Sequence, residues 1–250
     1  MLFIYMSIEV DKSIEEIMFL AQLAEQCERY DDMVYYIKLL AYTKKILTFH
    51  ERNTLALAYK NAITSQRNAW RTLETQLKTT DKKDISSIQR IKSYQKTIET
   101  EILSVCNDAF KIIDEVLLPN SKSSEDTVFF LKMKGDYQRY VCEISSDDIK
   151  INASTIAHEA YQKAYETACE TMTPTHPLRL GVLLNFTVLY YDIFLKQDKA
   201  CEMAKKGFDE AISNLDNAKD DINYKDSTVL LQLLRDNLTL WTSDAIEESK

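Results

Sequence analysis

Two basic stripes stand out in this sequence as side chains able to do chemistry. Lys60, Arg67 and Arg71 occur at i, i+7 and i+11. On a helix that turns 100° per residue, Arg67 and Arg71 point within roughly 20° of Lys60. Lys132 and Arg139 repeat the i, i+7 spacing, and Tyr140 sets a hydroxyl beside Arg139. Two guanidinium forks, an ammonium and a phenol suit a phosphate dianion, which carries about −1.5 to −2 charges and three acceptor oxygens. Such a stripe serves as readily as a solvated face with i, i+4 partners, and Arg139 with Glu143 has that spacing. Spacing alone favours the solvated face and leaves the phosphate reading open.

Two further stripes are apolar with one carboxamide set into each. Leu184, Asn185, Val188 and Asp192 share an arc of about 100°, as do Val229, Leu230, Leu233 and Asn237, with Trp241 just beyond. A buried Asn needs partners for both its donors and its acceptors. A groove gripping an extended peptide would supply them through the peptide backbone. A core with a helix-to-helix Asn bond would supply them too, and spacing alone makes the core the commoner case.

The elements that position these residues are helices. Three glycines and three prolines are too few for the repeated tight turns of a sheet protein. Apolar periodicity predicts helices over roughly 9–28, 31–46, 50–79, 85–117, 124–145, 152–172, 176–195, 198–215 and 225–243. Pro119 and Pro174 follow helices, and Pro177 stands in the first turn of the next, where a missing N–H costs nothing. The fold class expected is all-α, with nine helices in antiparallel pairs. The chain is expected to comprise an extension at 1–10, one helical domain over 11–243 and a short tail at 244–250.

Several function classes start low. A net charge of −8 disfavours nucleic acid, which needs a basic face. Five scattered cysteines without a C-x-x-C pair suit reduced thiols and a cytoplasmic location. The apolar start, MLFIYMSIEV, lacks a basic leader and is too short to span a bilayer. His50, His158 and His176 show no metal-ligand spacing, so no metal, cofactor or catalytic group is expected.

Longer strings then carry a resemblance: AEQCERYDDM (24–33), ERNTLALAYKNAI (51–63), IETEILSVCND (98–108), FLKMKGDYQRY (130–140), TPTHPLRLG (173–181) and YKDSTVLLQLLRDNLTLWTSD (224–244). From about Leu20 to Asp244 the sequence resembles the 14-3-3 family. That resemblance implies a cup of nine antiparallel helices, paired as a dimer and holding a concave amphipathic groove for phosphoserine or phosphothreonine segments of client proteins. It implies phosphate ligands at Lys60, Arg67, Arg139 and Tyr140. Asn185 and Asn237 match amides that bind the peptide main chain, and Leu184, Val188, Val229, Leu230, Leu233 and Trp241 match the apolar wall. Lys132, Glu143 and Asp192 match other residues of the same groove. The rival expectation is a helical scaffold that binds unphosphorylated peptides or only its own kind.

The dimer region departs from the family pattern. Leu23, Cys27, Arg29, Asp32, Ala69, Tyr94 and Glu101 match interface positions. Arg29 and Glu101 keep one inter-subunit ion pair of the family. Asp32, however, would meet Thr97 where a lysine is usual, and Ala69 stands where many members carry a phosphorylatable serine. Exposed pairs contribute about 0–1 kcal/mol each, so Leu23 and Tyr94 are expected to hold a homodimer or heterodimer, if a weaker one. Gln66 replaces an arginine that often flanks the phosphate, and Asp192 and Val229 replace longer side chains. The short tail is expected to compete little for the basic pocket.

Overall fold

A computed structural model describes residues 12–216 and 222–248. The proposed extension at 1–10 lies outside these, as do 217–221 and the last two residues of the tail. Among the described residues there are nine helices and no strand. They divide into two compact units, one ending at Asn120 and the other starting at Ser121.

The first unit holds α1 (Ile14–Gln26), α2 (Tyr30–Lys44), α3 (Phe49–Thr79) and α4 (Ile85–Ile112). The first helix starts at Ile14 because Ser13 caps it. Its hydroxyl accepts from the Glu16 N–H at 3.2 Å, and the Glu16 carboxylate accepts from the Ser13 N–H at 2.8 Å. Thr48 and Glu51 build the same box at the head of α3. Buried residues recur at helical spacing, as in Met33, Ile37, Leu40 and Ala41 on α2 and Ile98, Ile102, Cys106 and Ala109 on α4. Three side-chain bonds fix α3 against α4: Tyr59 to Asp108, Trp70 to Glu99 and Gln95 to Glu74. The numbers fall on α4 as they rise on α3, so these two helices run antiparallel. Burial on α3 ends at Ile63, and from Thr64 on every residue is at least partly exposed.

The second unit holds α5 (Ser124–Ile144), α6 (Asp147–Thr171), α7 (Pro177–Val188), α8 (Gln197–Leu215) and α9 (Tyr224–Glu248). Small residues let α5 and α6 approach closely. Ala153, Ala157, Ala160, Ala164 and Ala168 are all buried, and Gly135 of α5 lies against the Tyr161 ring, where a Cβ would stand 2.7 Å away. His176 caps α7 by accepting the Leu178 N–H on Nδ1 at 3.2 Å, and Pro177 follows it. A second core joins Leu180, Leu183, Ala200, Ala204, Ala211, Leu231, Leu234 and Trp241 from the last three helices.

The structure moves some expected boundaries. The sixth helix begins at Asp147 rather than 152, and the ninth continues to Glu248, past the expected end at 243. Two expected helices, 85–117 and 176–195, finish in π turns at Ile113–Leu117 and Leu189–Ile193. There the Leu118 N–H bonds back to Ile113 and the Phe194 N–H to Leu189, five residues each. Asp192 therefore leaves the α-helical register from which its shared arc with Asn185 was drawn.

Candidate ligand-binding site

In the second unit one carboxylate ties together several of the expected groove residues. Asp136 is buried on α5, and its Oδ2 accepts from Lys132 Nζ at 2.8 Å. Its Oδ1 accepts from the Tyr161 hydroxyl at 2.5 Å and from Asn185 Nδ2 at 2.6 Å. Burial alone would raise its pKa. The charges of Lys132 and Arg139, with hydrogen bonds from Lys132 and Tyr161, overcome that and hold it below the ordinary carboxylate value. Burial and the Asp136 charge together push the Tyr161 phenol well up, so it stays a protonated donor.

Arg139 is 9% exposed, one turn along from Asp136. Its Nε donates to the Tyr161 hydroxyl at 3.5 Å, and its guanidinium carbon lies 5.0 Å from the centre of the Tyr140 ring. Burial favours loss of its proton, but Tyr161, Tyr140 and Asp136 more than compensate, and the group is held firmly charged. Among the described residues Arg139 makes no direct ion pair, and its two terminal nitrogens have no hydrogen-bond partner. The solvated-face reading with Glu143 therefore does not describe Arg139. Asn185 does make the helix-to-helix bond that was one of its two readings. Its carbonyl oxygen accepts from no described residue, and the Asn237 amide likewise has no partner there.

In the first unit, Lys60 lies exposed on α3 and makes no ion pair among the described residues. Gln66 and Arg67 are half-buried about two turns on, and Arg71 is exposed. Of the expected interface residues, Leu23, Cys27, Arg29, Tyr94 and Glu101 are exposed, and Asp32 and Ala69 half-buried. Arg29 Nε bonds Asp32 Oδ2 within the same chain at 2.5 Å. The acid expected to lack a lysine across the interface thus already has a cation beside it. That pair borders a cleft of about 260 Å³ lined also by Glu28, Asn61, Ser65 and Gln66.

The two apolar stripes meet in the second unit. Leu184, Val188 and Leu230 pack half-buried against the core that holds Trp241. Val229 and Leu233 stand exposed. Trp241 lies beneath that face rather than on it, only 3% exposed and stacked on Tyr191 with ring centres 4.8 Å apart.

Sequence reasoning passed over three residues. Asp136 sits four residues after Lys132 and three before Arg139, an acid between two cations that the i, i+3 and i, i+4 rule brings to one face. Leu240, 57% exposed, lies eleven residues after Val229 and so shares its stripe. Tyr161 comes from another helix, and no spacing announces it.

The histidines serve structure. His176 caps α7, His50 bonds Gln22, and His158 bonds the Tyr190 hydroxyl within a cluster of Phe186, Tyr190 and Phe194. Among the described residues no group of three or more His, Cys, Asp or Glu is placed to hold a metal. No helix there is long and apolar enough to cross a membrane.

Comparison with known proteins finds relatives along nearly the whole chain. The family model described as 14-3-3 protein matches residues 20–242. "14-3-3 protein 7" of Solanum lycopersicum is 46% identical over 239 residues, covering 95% of this chain and 94% of that protein. "14-3-3-like protein GF14 epsilon" of Arabidopsis thaliana is 47% identical, covering 94% and 92%. "Checkpoint signal transducer rad24" of Schizosaccharomyces pombe is 46% identical, covering 93% and 86%. With its all-helical fold and a match running nearly end to end, this chain belongs to the 14-3-3 family, whose members act as adaptors in signalling.

Proposed function

We propose that this protein is a phosphoserine- and phosphothreonine-dependent adaptor. Lys60, Arg67, Arg139 and Tyr140 serve as its phosphate ligands. Lys132, Asn185, Asn237 and the apolar residues Leu184, Val188, Val229, Leu230 and Leu233 hold the surrounding client segment. The observation that carries this reading is the state of the cations. Lys38, Lys44, Lys132 and Arg179 are each satisfied by a carboxylate. Lys60 and Arg139, two of the three cations that match phosphate ligands, have none among the described residues. The Arg139 guanidinium is buried and held charged with no carboxylate bonded to it directly, so an arriving dianion finds its terminal donors open. Each charge-assisted bond it makes contributes about 1.5–3 kcal/mol, where a serine hydroxyl offers almost nothing.

Self-association belongs to the same reading. A second copy, or a related chain, covers the exposed Leu23 and Tyr94, with Cys27, Arg29, Asp32, Ala69 and Glu101 around them. Two client sites on a dimer make the second binding step effectively intramolecular.

The test is fluorescence anisotropy with one labelled peptide in phosphorylated and unphosphorylated forms. The phosphorylated form is expected to bind at least about tenfold more tightly, the equivalent of one charge-assisted bond. Lys60→Glu, at an exposed position, is expected to abolish the difference while leaving the helical circular-dichroism signal intact. Equal affinities for the two peptides would favour the scaffold reading instead.

A further inference from the structure

We propose that Tyr161 is a positioning residue for Arg139, acting in a relay whose fixed end is Asp136. This rests on the phosphate reading and deepens it by naming what holds the guanidinium ready. Arg139 has one hydrogen bond among the described residues, from Nε to the Tyr161 oxygen at 3.5 Å. A phenol oxygen can accept in that direction only if its own proton points elsewhere. Asp136 ensures this, since the Tyr161 proton lies on Asp136 Oδ1 at 2.5 Å. The Tyr161 ring cannot drift, because it is fully buried, wedged on Gly135 and stacked on Phe186 at 5.8 Å.

The consequence for Arg139 is geometric. Its inner nitrogen donates to Tyr161 and its guanidinium carbon lies over the Tyr140 ring at 5.0 Å, so the fork is held from two sides. Both terminal nitrogens remain for a ligand, the edge of the fork that suits two phosphate oxygens at once. Asp136 carries this arrangement without consuming the fork, because it reaches Arg139 through the phenol rather than by a direct pair. The same carboxylate also anchors Lys132 and Asn185. One buried acid thus sets three groups expected to touch the client.

Tyr161→Phe tests the idea, because it keeps the ring and its packing and deletes only the hydroxyl. Affinity for the phosphorylated peptide is expected to fall about three- to tenfold, with binding of the unphosphorylated peptide unchanged. A residue that merely supported the fold would weaken both forms alike. Asp136→Asn and the double variant complete a cycle. Since the two residues act in series, the double variant is expected to lose no more discrimination than the worse single one. Four results would overturn the proposal. Tyr161→Phe could keep full discrimination, could lose affinity for both peptides equally, or could combine additively with Asp136→Asn. If the unaltered protein itself fails to discriminate, the phosphate reading falls and takes this one with it. Discrimination by the unaltered protein and by Tyr161→Phe to the same degree would sink the relay alone.

Discussion

Replacing Gly135 by alanine puts a methyl group where α5 and α6 touch. The added Cβ would stand 2.7 Å from one carbon of the Tyr161 ring and 2.8 Å from two others, distances that real Cβ contacts essentially never show. The ring has nowhere to retreat, being fully buried with Phe186 stacked on it. Overpacking of this kind costs about 1–3 kcal/mol. Turning the ring also strains the charge-assisted bond to Asp136, worth about 1.5–3 kcal/mol. Alanine recovers about 1 kcal/mol through its better helix propensity. The net expected loss is about 1.5–5 kcal/mol. Gly181→Ala is the internal control, because there the nearest atom is Lys132 Cε at 3.4 Å, an ordinary contact. That variant is expected to be neutral or up to about 1 kcal/mol more stable. Urea unfolding followed by far-ultraviolet circular dichroism measures both. The close-packing argument is refuted if Gly135→Ala is as stable as the unaltered protein, or if the two alanine variants shift together.

Trp241→Ala removes a side chain that is almost wholly buried and stacked on Tyr191, and is expected to destabilise by about 3–5 kcal/mol in the same unfolding assay. Glu51 is affected by burial, which raises its pKa, yet its bonds to Lys44 and Thr48 leave it lowered overall. Its contribution is therefore fully present above the unfolded glutamate value of about 4.3 and lost as pH falls through the lower folded value. The stability gap between the unaltered protein and Glu51→Gln should stay constant above that pH and narrow below it, as read by acid titration of unfolding midpoints. Leu23→Glu combined with Tyr94→Glu puts charge on two exposed apolar side chains and is expected to convert the proposed dimer to monomer in sedimentation velocity at low micromolar concentration. An unchanged sedimentation coefficient would move the self-association surface elsewhere.

The helices were legible because each needed only its own stretch of sequence. Met33, Ile37 and Leu40 announce a buried face by spacing, and Pro177 marks where α7 begins. The basic stripe on α5 was legible in the same way, as residues of a single helix. Its meaning was not, since the same spacing describes a solvated face. What removed the solvated-face reading for Arg139 was burial, and burial is a property of packing. Tyr161 illustrates the limit: it reaches Arg139 and Asp136 across 22 and 25 residues of sequence. Periodicity also assumed one helical pitch throughout, so the π turn that carries Asp192 out of register had no sequence signature to read. Trp241 followed the stripe by angle, yet Tyr191 on a neighbouring element draws its ring inward.

The long third helix is buried in the core at one end only. Its first half, through Ile63, lies in the core, while the remainder and the opening turns of α4 form a hairpin whose tip, Thr79 to Ser86, meets solvent at nearly every side chain. A helix of 31 residues is about 46 Å long, so this tip lies far from the packed end. Amide exchange should therefore quicken steadily along α3. Lys78, Lys82 and Lys83 should be among the first bonds cut by trypsin. For the same reason the tip is a place to graft a tag or a short peptide while the anchored half keeps its fold.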